Sequence, residues 1–475
     1  MLFVRLFDEQ LAQASYLIGC ASNGTAVVVD PNRLVDQYIA AAERLGLAIT
    51  AVTETHIHAD FVSGTRELAA RSGATMYLSA CGPPEWQYGF AGERGVIPLK
   101  DRDAFRVGNV ELRAVHTPGH PPEHLSFLVT DRATAIEPMG ILTGDFVFVS
   151  DVGRPDLLEK AARVAGTAEL GAHQLFRSLR WFRALPDHLQ VWPGHGAGSA
   201  CGKGMSAVPQ STVGYERRYN WALAVEDPGL FTSQVLAGQP EPPRYFAEMK
   251  RINRVGPPVL GAVSLPERIA EHKVAALLAG GALIVDTRRA VDFAAGHLPG
   301  TLNIPFNNSF ATWAGSLLPY DRDLYLLLDR GSADQLQRLV QTLLLIGLDQ
   351  VKGYCVSDAL ALWVNEGHAL EQVDQVPVAE LGRRQNGTVI VDVRGRAEWE
   401  EGHIPGARLI PLAELPDRIE EIPADQPVAV HCQSGGRSAI AASLLRARGR
   451  KNVANMPGGF VAWVGAGMPV KQSKE

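Results

Sequence analysis

Thr55-His56-Ile57-His58-Ala59-Asp60-Phe61 decides how the first half of this chain is read. The run Ile49-Thr50-Ala51-Val52-Thr53-Glu54-Thr55 has the apolar, β-branched character of a strand and delivers His56 and His58 at its C-terminal end. Two imidazoles one residue apart, followed by the carboxylate of Asp60, make a turn suited to a metal ion. Phe61 closes the turn with a phenyl ring, which cannot ligate. Any ion bound here needs further ligands from elsewhere in the chain.

Three later elements offer them. His120 ends His116-Thr117-Pro118-Gly119-His120, Asp145 ends Leu142-Thr143-Gly144-Asp145, and His195 ends Val191-Trp192-Pro193-Gly194-His195. Each follows an apolar run and sits beside glycine or proline, where a loop at a sheet edge would present it. Between them, residues 26–30, 125–130 and 141–143 read as strands, and residues 34–45 have helical periodicity. An α/β layered domain fits this alternation.

Taken together, these elements resemble the metallo-β-lactamase superfamily, whose H-x-H-x-D-H turn is present with its last histidine replaced by Phe61. Residues 1–226 are most similar to the metallo-β-lactamase-fold persulfide dioxygenases, also called sulfur dioxygenases. That resemblance implies an αββα sandwich and one Fe(II) per chain held by His56, His120 and Asp145. Two imidazoles and a carboxylate on one face of Fe(II) leave positions for a substrate and O2. It further implies that His58, Asp60 and His195 orient the ligands from behind. With a bridging Asp145, Asp60 and His195 also suit a weak second metal.

Arg154, in Asp151-Val152-Gly153-Arg154-Pro155-Asp156, reads equally as an ionic group near the site and as half of a structural Arg–Asp turn. Cys201 and Lys203 follow His195 in a glycine-rich loop, where a sulfur-carrying or substrate-contacting role competes with an inert turn. Arg217, in Tyr215-Glu216-Arg217-Arg218-Tyr219-Asn220-Trp221, suits an anionic thiol substrate as well as it suits a solvated helix face.

Residues 227–266 differ in character. Gly238-Gln239-Pro240-Glu241-Pro242-Pro243 and Val255-Gly256-Pro257-Pro258 predict a Pro-rich linker packed on its neighbours. Beyond it the chain repeats itself at a constant offset of 106 residues. Asp286-Thr287-Arg288, Phe293 and Gly296-His297-Leu298-Pro299-Gly300 recur as Asp392-Val393-Arg394, Trp399 and Gly402-His403-Ile404-Pro405-Gly406. Both copies, 267–371 and 372–475, resemble rhodanese domains, a small α/β fold with a parallel sheet.

The second copy runs from a strand, Val428-Ala429-Val430-His431, directly into Cys432-Gln433-Ser434-Gly435-Gly436-Arg437-Ser438 and a helix. Such a cradle aims backbone N–H groups and a helix N-terminus at one sulfur, favouring an anion there. The cradle itself suits a persulfide or a phosphate; the C-x4-R spacing of Cys432 and Arg437 is similar to the tight sulfurtransferase loop, and that resemblance implies that Cys432 is a persulfide carrier with Gln433, Ser434, Gly435 and Gly436 as its cradle. Asp392 and Arg394 are expected to pair structurally. The first copy has Asp329-Arg330-Gly331-Ser332 at the corresponding place, with no cysteine, and reads as inactive. Cys355, past that loop, is expected to be structural.

At 475 residues the chain needs several domains. A net charge of −6 gives no electrostatic case for nucleic acid or an anionic membrane, and no apolar run is long enough to span a bilayer. Five widely spaced cysteines form no disulfide framework, so a cytoplasmic location is the default. The inactive copy and the linker hint at a homo-oligomer.

The order of domains resembles a bacterial persulfide dioxygenase–sulfurtransferase fusion. It implies an enzyme of sulfide detoxification that oxidises a low-molecular-weight thiol persulfide with O2 to sulfite. Cys432 would then exchange sulfane sulfur with sulfite or thiosulfate. The rivals are a two-zinc thioester hydrolase of the glyoxalase II type with appended rhodanese domains, and a non-catalytic sulfur carrier or sensor.

Overall fold

The strands Gln13–Cys20 and Thr25–Val29 are buried almost throughout because each packs on both faces. Side chains alternate across a strand, so Tyr16, Ile18, Val27 and Val29 face one way and Leu17, Ala26 and Val28 the other. The first set meets Leu112, Phe127 and Trp192 of a second sheet. The other set packs with Tyr38 and Ala42 of the helix Asp36–Arg44. A helix–sheet–sheet–helix sandwich follows from this patterning.

The computed structural model describes residues 1–160, 166–330, 333–383 and 387–472. It divides into a first unit, Met1–Val263 with Leu344–Gly347, and a second, Ser264–Leu343 with Leu348–Glu475. The first unit holds two six-stranded sheets. One runs in sequence order from Leu2–Asp8 to Val96–Leu99, antiparallel at its start and parallel from Thr25–Val29 onward. The other joins Ala104–Val107, Val110–His116, Leu125–Asp131, Gly140–Gly144, Gln190–Pro193 and Ser211–Thr212. Its outer face is covered by the helix Thr167–Arg183, whose Ala172, Leu175 and Leu179 pack on Ile141 and Val191.

The stretch 227–266, read from its prolines as a linker, carries two helices, Pro228–Leu236 and Phe246–Val255. Pro228 lies in the first turn, where a missing N–H costs nothing. Phe231 and Val235 join the same core as Phe176 and Leu179, while Phe246, Met249 and Asn253 are buried at helical spacing. The first unit therefore reaches past residue 226 to Val263.

The second unit contains two five-stranded parallel sheets of identical topology. The repeat extends to side-chain detail. Arg288 pairs with Asp286 at 2.6 Å and Arg394 with Asp392 at 2.7 Å. Phe293 stacks on His297 with ring centroids 3.8 Å apart, and Trp399 on His403 at 3.7 Å. The D-x-R blocks are thus buried structural pairs, each arginine also donating to the carbonyl of Gly296 or Gly402. No helix among the described residues is long and apolar enough to cross a membrane.

Candidate metal centre and sulfur-transfer loop

His56 and His58 follow the strand Ala48–Thr53, His120 follows Val110–His116, Asp145 follows Gly140–Gly144 and His195 follows Gln190–Pro193. The ends of strands from both sheets thus converge. His56, His120 and Asp145 are buried, and one ligand atom from each lies within 4.8 Å of the others. Asp145 Oδ2 stands 3.4 Å from His120 Nε2 and 3.9 Å from His56 Nε2.

The hydrogen bonds behind these rings set their tautomers. Thr55 donates its hydroxyl to Asp30 Oδ2 at 3.0 Å, so its oxygen accepts from His56 Nδ1 at 2.9 Å. His120 Nδ1 donates to the carbonyl of Arg154 at 3.1 Å. Both Nε2 atoms therefore carry lone pairs turned toward Asp145 Oδ2, a buried oxygen with no hydrogen-bond partner. Burial holds His56 well below the ordinary histidine range, and neighbouring His58 lowers it further. Burial likewise pushes His120 down to about 4. Two neutral imidazoles and an orphaned carboxylate oxygen facing one point are a donor set for a divalent cation.

The remaining turn residues serve other partners. His58 Nε2 donates to Asp30 Oδ1 at 3.1 Å, and although burial lowers its pKa, Asp30 raises it further. His195 lies between two carboxylates, 2.8 Å from Asp145 Oδ1 through Nδ1 and 2.8 Å from Asp60 Oδ2 through Nε2. Burial alone would lower His195, but Asp145 and Asp60 hold it well above its usual value. Burial likewise opposes the charge on Asp145, and His195 overrides it. With both nitrogens donating, His195 offers no lone pair in this arrangement. Asp60, His195 and Cys201 nonetheless form a second cluster within 4.8 Å, which an ion would enter by deprotonating His195. Phe61 is fully buried, its ring centroid 4.4 Å from that of His58.

The residues named as substrate contacts are engaged within the protein. Arg154, wholly buried, pairs with Asp156 at 2.7 Å. Lys203 donates to the carbonyls of Gln234 and Ala237 and lies over Trp221. Arg217 pairs with Asp187 at 2.6 Å. Cys201 is buried in spite of its glycine-rich loop, and burial followed by the charge of Asp145 pushes its thiol well up.

Four supporting residues escaped the sequence reading. Asp30 anchors Thr55 and His58. His124 Nε2 accepts from the backbone N–H of Asp145 at 3.2 Å. Glu123 Oε1 accepts from the N–H of Ile57 at 3.2 Å. Asn253, from the helix Phe246–Val255, donates to the carbonyls of His58 and Phe61 at 2.9 and 2.7 Å. Asp30, Glu123 and His124 were detectable only as polar residues next to strands; the signal for Asn253 was the helical spacing around it.

In the second unit, the strand Val428–His431 and the helix Gly436–Ala447 flank the Cys432 loop. Gly435 N–H points at Cys432 Sγ at 3.1 Å, and Ser438 Oγ lies 3.6 Å from it. Gln433 accepts from Arg394 at 3.2 Å. Arg437 is held in a bidentate pair by Glu398, both contacts at 2.7 Å. Cys432, Ser434, Gly436 and Arg437 line a cavity of about 690 Å³, whose other wall is Arg289, Trp313 and Asp329 of the first repeat. Gly331 and Ser332 of the first-repeat loop lie outside the described residues. Cys355 is buried among the first repeat's core and pushed up to about 12 by that burial.

Residues 9–195 match the metallo-beta-lactamase superfamily, and residues 270–364 and 378–466 match the rhodanese-like domain. The crystal structure of a metallo-beta-lactamase from Staphylococcus aureus subsp. aureus COL superposes with a TM-score of 0.66 at 39% identity, covering 75% of this chain and 99% of that one. The chain belongs to the metallo-beta-lactamase superfamily and carries tandem rhodanese-like domains. A sulfurtransferase of Allochromatium vinosum is 37% identical over 101 residues, 21% of this chain and 94% of that protein. A hydroxyacylglutathione hydrolase of Rhodospirillum rubrum is 32% identical over 185 residues, 38% of this chain. The chain spans 60% of that hydrolase's length. The metallo-beta-lactamase fold implies a bound metal, and the rhodanese-like domains tie this enzyme to sulfur chemistry.

Proposed function

We propose that the chain is a non-haem iron persulfide dioxygenase joined to a sulfurtransferase. The observation that carries this reading is Phe61, which puts a buried phenyl ring where the superfamily's turn has a metal-binding histidine. It favours one metal over two. Fe(II) held by His56, His120 and Asp145 would supply adjacent positions for a persulfide sulfur and dioxygen. The chain's own part is to keep both histidines neutral by burial, to fix their tautomers through Thr55 and the Arg154 carbonyl, and to aim Asp145 through His195 and His124.

The net reaction takes a thiol persulfide, one dioxygen and one water to the free thiol and sulfite, with the outer sulfur oxidised and dioxygen reduced. At Cys432, the outer sulfur of a cysteine persulfide passes to sulfite as their bond forms and the S–S bond breaks. Thiosulfate leaves, and the Cys432 thiolate stays in the field of the Gly435 N–H. The same residues serve the reverse transfer.

A two-zinc thioester hydrolase is favoured by one observation, the cluster of Asp60, His195 and Cys201 beside the first triad, together with the hydroxyacylglutathione hydrolase likeness. Metal analysis of the full chain, produced without metal supplementation, separates the two. One iron per chain supports the dioxygenase; two zinc ions and no oxygen uptake on a persulfide overturn it.

A further inference from the structure

Three charged side chains line the cavity beside Cys432, and they come from both repeats: Arg437 from the second, Arg289 and Asp329 from the first. The wall they form is fixed in place. Ser443, on the helix Gly436–Ala447 that begins at the Cys432 loop, accepts the N–H of Asn303 at 3.0 Å, and both residues are fully buried. Asn303 lies on the edge strand Leu302–Asn303 of the first repeat. The helix at the reacting sulfur is thus seated on the first repeat's sheet.

The charges of this wall do not balance. Arg437 commits its guanidinium to both oxygens of Glu398 at 2.7 Å. Arg289 is held in the same way by Asp292, at 2.7 and 3.0 Å. Asp329 is exposed, and among the described residues its carboxylate makes no hydrogen bond and no ion pair. Whichever carboxylate Arg289 faces, the first repeat's side of the cavity keeps one negative charge in excess. The positive field of the Cys432 loop is local to the sulfur, where the Gly435 N–H points. A ligand therefore crosses most of the cavity facing a carboxylate. Size points the same way, since about 690 Å³ with Phe306 and Trp313 in the wall suits an organic molecule better than a small oxyanion.

We propose that Asp329 sets the donor specificity of the Cys432 centre: its carboxylate opposes dianionic thiosulfate and leaves the cavity to singly charged organic donors of sulfane sulfur. This rests on the sulfurtransferase half of the proposed function and is independent of the metal centre. The first repeat, without a nucleophile of its own, becomes the charged wall of the second repeat's site. In each turnover the Cys432 thiolate attacks the outer sulfur of the donor. The donor's S–S bond breaks, its remainder leaves with the electron pair, and a persulfide forms on Cys432. Asp329 takes no part in these bonds and acts on the approach of charge.

The test follows thiocyanate formation by the full chain with cyanide and two donors of like chemistry, doubly charged thiosulfate and singly charged methanethiosulfonate. At low ionic strength Asp329→Asn should raise kcat/KM roughly fourfold for thiosulfate and roughly twofold for methanethiosulfonate, the effect of like charges about 10 Å apart in water. Asp329→Lys should raise the thiosulfate value roughly fifteenfold. Added salt should narrow the gap between parent and variants, a response that a merely structural role would not give. A donor ratio unchanged in both folded variants, or thiosulfate transfer that falls in Asp329→Lys, overturns the proposal. Transfer that needs Cys432 but ignores the charge at 329 sinks the assignment of Asp329 and leaves the sulfurtransferase. No thiocyanate from either donor in the parent would sink the sulfurtransferase reading and this proposal with it.

Discussion

Asn253 donates a 2.7 Å hydrogen bond to the carbonyl oxygen of Phe61, tying the helix Phe246–Val255 to the turn that bears His56 and His58. The same carboxamide donates to the carbonyl of His58 and accepts from the N–H of Ser63 at 2.9 Å. Asn253→Ala would strand three buried backbone groups. Leaving buried polar groups unpaired costs about 1–3 kcal/mol each, so roughly 3 kcal/mol is expected in all after relaxation. Denaturant unfolding followed at the first unit's transition should show that loss, and an unshifted midpoint would remove Asn253 from the scaffold.

On the proposed reading, Phe61 is what limits the site to one metal. Phe61→His restores the ligand type of the superfamily turn beside Asp60 and His195. Expressed with zinc, the variant should carry close to two ions per chain where the parent carries one, read by elemental analysis. A ratio that stays at one would show that Phe61 does not decide the matter.

The two chemistries should come apart at Cys432. Cys432→Ser removes the sulfur that Gly435 N–H and Ser438 Oγ face. Thiosulfate–cyanide sulfur transfer should fall to background while oxygen uptake on a persulfide persists. Complete loss of both would contradict two independent centres.

His297 gives a pH signature in the first repeat. Burial pushes it down to about 4, only partly offset by its hydrogen bond to the Phe293 carbonyl. Because the unfolded chain takes up this proton near pH 6.5, it binds more protons than the folded one as pH falls from there toward 4. The second unit should therefore lose stability across that window. His297→Gln should flatten the dependence in thermal melts; an unchanged slope would assign the loss to other groups.

Much of this was legible because it is local. A strand that ends in two histidines, and blocks recurring at one offset, announce themselves within a few residues, as His56, His58 and the Asp286/Asp392 pairs do. The helix Phe246–Val255 was hidden by the prolines on either side, although Phe246, Met249 and Asn253 carried the helical period. That Asp329 lines the Cys432 cavity could not be found without the fold, since the two lie more than a hundred residues apart in the chain. Cys201, open in the sequence between a sulfur-carrying or substrate-contacting role and an inert turn, needed the fold to show its thiol buried beside Asp60 and His195.

The central claim is best tested by an oxygen electrode. The full chain, loaded with Fe(II), is given a thiol persulfide while sulfite is quantified in parallel. One dioxygen should disappear for each sulfite released, and Asp145→Asn should abolish both. An iron-loaded chain that consumes no oxygen, alongside a zinc-loaded chain that hydrolyses a glutathione thioester, would contradict it.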